Sequence, residues 1–127
     1  MRVLVCGGRD FNNYSRLYWS LDCIQDDRGQ FTHVITGDAS GADHWAESWA
    51  WMQKISHIKF GADWIGYGRK AGPIRNALMI SEGKPDLVVA FPGGKGTANM
   101  VARAKKAGIE VIQIAARDAP EAQKGAA

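Results

Sequence analysis

The reading of "DLVVAFPGGKGTANM", residues 86–100, decides the fold. An apolar run over 86–91 stops at Pro92, glycines occupy 93, 94 and 96, and the chain then takes on helical spacing to about residue 107, with Ala98, Val101 and Ala102 on one side. An unbroken apolar run of this length reads as a strand covered on both faces. A strand that passes through glycines straight into a helix is half of a βαβ unit, the building block of parallel sheets. Gly108 ends the helix and "EVIQI" (110–114) supplies the next strand.

Working back from this unit, the same alternation repeats. "RVLVCG" (2–7) and "THVITG" (32–37) read as strands, with "SHIKF" (56–60) as a weaker one. A helix is expected over 15–28, with Ser15 as N-cap and Leu17, Tyr18, Leu21 and Ile24 at helical spacing. A second, over 41–54, carries the stripe Ala42, Trp45, Ala46, Trp49 and Ala50. A third, over 73–83, opens on Pro73 and places Ile74, Ala77 and Leu78 on one face. Residues 61–72 hold four glycines without periodicity and read as a loop. The prediction is α/β: one Rossmann-like domain over 1–116, a five-stranded, mostly parallel sheet of order 3-2-1-4-5 with helices on both faces, and a flexible tail over 117–127.

Bulk composition excludes several classes. With 127 residues, 46% hydrophobic and 23% charged, the chain is an ordinary single globular domain. A net charge of +3 is small for a protein that grips a duplex, so nucleic acid is not the expected partner. Cys6 and Cys23 fall in a strand and a helix and read as buried thiols; no ligand cluster suggests a metal, and no cofactor is expected. The first residues enter a strand, leaving no room for a signal peptide, and no apolar run approaches membrane-spanning length; a cytoplasmic protein is the expectation.

In the predicted order, the turns after the strands meet at one edge of the sheet, where ligands of open α/β folds bind. Each turn is rich in glycine or cations. "CGGRDF" (6–11) offers Gly7, Gly8, Arg9 and Asp10; "TGDASGAD" (36–43) offers Gly37, Asp38, Ser40 and Gly41 before a helix. "GRKAGPIRN" (68–76) adds Arg69, Arg75 and Asn76, and the opening stretch adds Pro92, Gly93, Gly94, Lys95, Gly96 and Thr97. Glycines let backbone amides approach a phosphate, helix N-termini favour anions, and Arg and Lys supply counter-charge. Taken singly, each glycine is equally a device for a tight turn.

"VLVCGGRDF", "TGDASGADHWA", "GRKAGPIRNALMI" and "AFPGGKGTANMVARAKKAGIEVI" together resemble the YspA/YpsA-related branch of the SLOG superfamily, over about residues 2–114. That superfamily includes the lonely-guy nucleoside 5′-monophosphate phosphoribohydrolases and the DNA-processing protein DprA. The resemblance implies a Rossmann-like fold, a nucleotide-derived ligand such as a nucleoside monophosphate or an ADP-ribose-like molecule, and a homodimer, for which the apolar surface of the third and fourth long helices is available. It also raises two alternatives: hydrolysis of an N-glycosidic bond, and binding of single-stranded DNA.

The hydrolases follow PGGxGT with an acid, PGGxGTxxE. Here Asn99 and Met100 stand at that place, and neither delivers a proton as a carboxylic acid does. Arg75 matches the family's arginine. Of the acids on neighbouring loops, Asp10, Asp38 and Asp43 are candidates; Asp38 at a loop apex is the favoured substitute, against a simpler capping role, Asp10 could instead hold Arg9 or a ribose hydroxyl, and Asp43, in a first helical turn, reads more strongly as structural. His44 and His57 are lone histidines without a visible partner. Among five tryptophans, Trp45 and Trp49 read as core and Trp51 as exposed or interfacial. Trp64 and Tyr67, in the glycine-rich loop, either pin that loop or stack on a nucleobase.

Overall fold

The computed structural model describes residues 1–116; the tail expected over 117–127 lies outside them. Five strands, β1 (Arg2–Cys6), β2 (His33–Thr36), β3 (Ser56–Lys59), β4 (Leu87–Ala90) and β5 (Glu110–Gln113), form one sheet in the order β3-β2-β1-β4-β5. All four pairings are parallel, in the expected order. The central strands are covered on both faces, so their apolar runs have no polar side. Val3 and Val5 of β1, Val34 of β2 and Leu87 and Val89 of β4 pack on α1 (Tyr14–Arg28) and α2 (Ala42–Met52), through Leu17, Leu21, Ala46 and Trp49. On the opposite face, Leu4, Cys6, Ile35, Val88 and Ala90 pack on α4 (Ala71–Ser81) and α5 (Lys95–Lys106), through Met79, Met100, Val101 and Ala104.

Several local expectations change. Helix α1 starts one residue early and is capped by Asn13, whose Oδ1 accepts from the Arg16 amide at 3.2 Å; Ser15 is inside the helix and exposed. The segment 61–72 is not wholly irregular. It carries a one-turn helix, α3 (Trp64–Tyr67), a 3-10 turn over Gly68–Lys70 and the first residues of α4, so Pro73 is third in its helix, where an amide would have no helical partner. Cys23 is exposed, while Cys6 is buried.

Both helices on the second face are rotated from their apolar stripes. In α4, Ile74 and Leu78 face outward, 36% and 41% exposed, and the inward positions are Gly72, Asn76 and Met79. In α5, Val101 is buried as expected but Ala98 and Ala102 are exposed; Met100 and Ala104 take the inward places. The buried Asn76 accounts for the rotation of α4, since it finds hydrogen-bond partners on α5 that a hydrophobic-periodicity argument does not contain. Among the described residues, no helix is long and apolar enough to cross a membrane.

Candidate functional site

The chain winds from β1 outward through β2 to β3, then crosses to β4 on the other side of β1. Beyond the carboxyl ends of β1 and β4, the two following loops must therefore diverge to opposite faces, and a crevice opens between them. The Gly8 amide donates to the Pro92 carbonyl at 2.8 Å and ties the loops together at its base. A cavity of about 600 Å³ lies above, within the range of small-molecule sites.

The glycines of these loops sort into two groups. A Cβ on Gly41, whose φ is 72°, would come within 2.2 Å of the Gly8 carbonyl oxygen; one on Gly93 would come within 2.7 Å of the Gly8 nitrogen. These two are needed for close packing of backbone on backbone. Gly94 and Gly96 are different: nothing lies within 4 Å of where their Cβ would be. Gly94 is the N-cap of α5 and provides no side-chain cap. Among the described residues, the amides of Lys95, Gly96 and Thr97 have no acceptor. They form a vacant donor set at the positive end of a helix of 12 residues.

The loop before α2 is partly filled by the protein itself. Gly37 and Ala39 both donate their amides to Asp43 Oδ2, at 3.0 and 3.2 Å, and the Ala42 amide donates to the Gly8 carbonyl. The anion that the sequence places at this loop is thus the protein's own carboxylate. Asp43 is 7% exposed and lines the cavity. Burial pushes its carboxyl up to about 6, against the opposing pull of the two amides and of Arg75. Asp38, the acid favoured by the sequence, is instead exposed on the rim at a φ of 58°, with Lys59 Nζ 3.6 Å from its Oδ1, and does not line the cavity. Asp10 is exposed and also outside it.

The structure brings Gly7, Gly8, Arg9, Gly37, Arg69, Arg75 and Asn76 to the cavity wall, along with Gly94, Lys95, Gly96 and Thr97. Ser40, Gly41, Pro92 and Gly93 stand behind that wall and shape its loops; Ser40 Oγ, for example, donates to the Arg9 carbonyl at 3.1 Å. Four cations, Arg9, Arg69, Arg75 and Lys95, face the space together with the single carboxyl of Asp43.

Asn76, 5% exposed, links the cations to the glycine loop. Its Oδ1 accepts from Arg75 Nε at 3.0 Å, and its Nδ2 donates to the Gly96 carbonyl at 3.2 Å and to Asn99 Oδ1 at 3.1 Å. Arg75 also donates from Nη1 to the Gly37 carbonyl, which orients the guanidinium across the crevice floor. Burial lowers the Arg75 pKa, with Arg9 adding to the effect and Asp43 opposing it. Asn99 accepts a further hydrogen bond from Arg103 Nε at 2.9 Å, and Met100 is buried. The two residues at the place of the hydrolases' acid are therefore built into the α4–α5 contact.

Cys6, Ala39, Gly72, Pro73 and Met79 also line the cavity and were not expected there from the sequence. Their small or apolar side chains carry no chemical signal of their own. Burial and Asp43 together push the Cys6 thiol up to about 12, which keeps it protonated and unreactive at neutral pH. Trp64 does line the cavity, with the Arg9 guanidinium 4.9 Å from its ring centroid; Tyr67 does not line it. The histidines lie elsewhere: His57 Nε2 is 2.8 Å from Thr36 Oγ1, and His44 packs against Trp45.

Comparison with known proteins agrees with this architecture. A family model described as "YspA, cpYpsA-related SLOG family" matches residues 1–67, which include β1, β2, β3 and the glycine loops after the first two strands. The gene 61 protein of Mycobacterium phage D29 is 35% identical over 123 residues, spanning 89% of this chain and 95% of that protein. On this match and on a sheet whose order and loops fit it, the chain belongs to the YspA, cpYpsA-related SLOG family.

Proposed function

We propose that this protein binds a nucleotide-derived small molecule, one carrying phosphate and ribose, in the crevice between the β1 and β4 loops, and serves to sense or sequester it. A nucleoside monophosphate or an ADP-ribose-like molecule fits the chemistry. The observation that carries the reading is the vacant donor set at Lys95, Gly96 and Thr97, facing a cavity lined by four cations. Backbone amides at a helix start are suited to phosphate oxygens, and Arg75, held by Asn76 and Gly37, is placed to give a charge-assisted second contact.

The test is native mass spectrometry of the purified protein with AMP, NAD, ADP-ribose and cyclic nucleotides, with the small molecules recovered afterwards. A ligand bound and recovered intact supports binding as the function. Arg75→Ala is expected to weaken that binding by about 1.5–3 kcal/mol. Unchanged affinity would remove the crevice from consideration.

A second reading, hydrolysis of the N-glycosidic bond of a nucleoside 5′-monophosphate, is favoured by Asp43: a buried carboxyl on the cavity wall that titrates close to neutrality. Recovery of free base and ribose phosphate, abolished in Asp43→Asn, would select it. Single-stranded DNA is the weaker candidate, and a steep loss of affinity with salt would be its signature. We further propose a cytoplasmic homodimer joined through the exposed Ile74 and Leu78 on α4, which light scattering would detect.

A further inference from the structure

We infer that Trp64 is the seat of an aromatic base, so that the crevice selects nucleotides over sugar phosphates; this rests on the binding reading above. Four observations place the indole there. Neither α3 nor the 3-10 turn after it contains a buried residue, and Trp64 is 46% exposed, so the core gives no reason for a tryptophan at this position. The ring nonetheless has a defined place. Asp63 Oδ1 caps the single turn by accepting from the Gly66 amide at 2.9 Å, and Gly72 leaves the space the indole uses, since a Cβ there would lie 3.3 Å from Trp64 Cη2. The Arg9 guanidinium lies over the ring at 4.9 Å, and both line the cavity. Finally, Ile65 is fully exposed and Tyr67 is outside the cavity, so of this segment's three large apolar side chains only Trp64 is turned toward the ligand space.

The crevice thus has two poles of different chemistry. The α5 amides with Lys95 form an anionic seat, and Trp64 with Arg9 forms a flat, polarisable, cation-backed one. An aromatic base offers a π-face to an indole whatever its hydrogen-bonding edge, so Trp64 favours nucleotides as a class without choosing among bases. Choice of base falls to other groups. A sugar phosphate can fill only the anionic pole.

The experiment is a titration calorimetry series that crosses ligand type with variant. AMP, GMP, CMP, UMP and ADP-ribose, and ribose 5-phosphate as the baseless probe, are titrated into the full chain and into Trp64→Ala, with Trp64→Phe as the conservative variant. The expected result is a tenfold or greater loss of affinity for the best-binding nucleotide in Trp64→Ala, a change under twofold for ribose 5-phosphate, and substantial recovery in Trp64→Phe. An equal loss for both ligand types would overturn the inference, because Trp64 would then only hold the wall in place. No loss for either would overturn it as well, and in both cases the phosphate crevice would stand. Absence of binding by every probe to the unaltered chain would overturn this inference and the binding reading together.

Discussion

Asp43 makes the stability of this protein depend on pH in an unusual direction. A carboxylate paired with a cation usually has its pKa depressed, and folding gains from its ionisation. Asp43 is the reverse case. Its two amide donors do not offset the loss of hydration, and the folded-state value rises from 3.8 to about 6. The folded protein therefore binds this proton more tightly than the unfolded chain, and the contribution to stability is present at low pH and lost as pH climbs through about 6. The full shift is equivalent to about 3 kcal/mol, of which about 1 kcal/mol is lost between pH 5 and pH 7. Asp43→Asn keeps an oxygen to accept from Gly37 and Ala39 but does not titrate. Urea denaturation of both proteins at half-unit steps from pH 5 to 7.5 measures the effect. The difference curve, wild type minus variant, should fall by about 1 kcal/mol across this window, steepest at its acid end and flat above the folded-state pKa. Parallel curves would refute the argument, because they would mean that the carboxyl ionises in its crevice as easily as in water.

Gly94→Asp should separate folding from binding. The position is open and is the N-cap of α5, so the new carboxylate can cap the helix and raise stability by up to about 1 kcal/mol, while its charge takes the place of the ligand's phosphate. A higher melting temperature with no detectable AMP binding is the expected pair of results. Gly41→Ala should do the opposite: a Cβ 2.2 Å from the Gly8 oxygen at a φ of 72° forces the loop apart, costing about 2 kcal/mol or more in chemical denaturation. Asn76→Ala removes the link between Arg75, Gly96 and Asn99; a loss of about 2–3 kcal/mol in stability, together with weaker ligand binding, is expected from the buried groups left without partners.

The sheet was legible because its central strands are buried on both faces. β1 and β4 present continuous apolar runs, and each is punctuated by glycines where the chain leaves the sheet. Strand order followed from the handedness and adjacency of parallel connections. The helices on the second face were less legible. Periodicity alone turns Ile74 and Leu78 inward, but the true inward face of α4 includes Asn76, whose partners belong to a segment 20 residues further along the chain. At the site, the cations and the α5 glycine loop could be read from residue type. The contrast between Asp38 and Asp43 could not. Asp38 lies in the loop and Asp43 in the first turn of α2, and their roles differ because Asp43 reaches back to the Gly37 and Ala39 amides while Asp38 turns out to Lys59, a distinction made by backbone geometry. The turn of helix at Trp64–Tyr67 was hidden for a related reason, as four residues are too few to show a period.

The two sides of the crevice are built to different mechanical standards. One side grows directly from β1 and β4 and is stitched by the Gly8–Pro92 hydrogen bond, so it can yield only if the centre of the sheet yields. The other side is the short helical segment that carries Trp64 and Arg69, with no residue anchored in the core. On the proposed binding role, the firm side, with its pre-aligned amides, would fix how tightly a phosphate is held once it arrives. The soft side would then set how fast a ligand enters and leaves. Substitutions in residues 64–70 should consequently alter residence time more than the final strength of the phosphate contact.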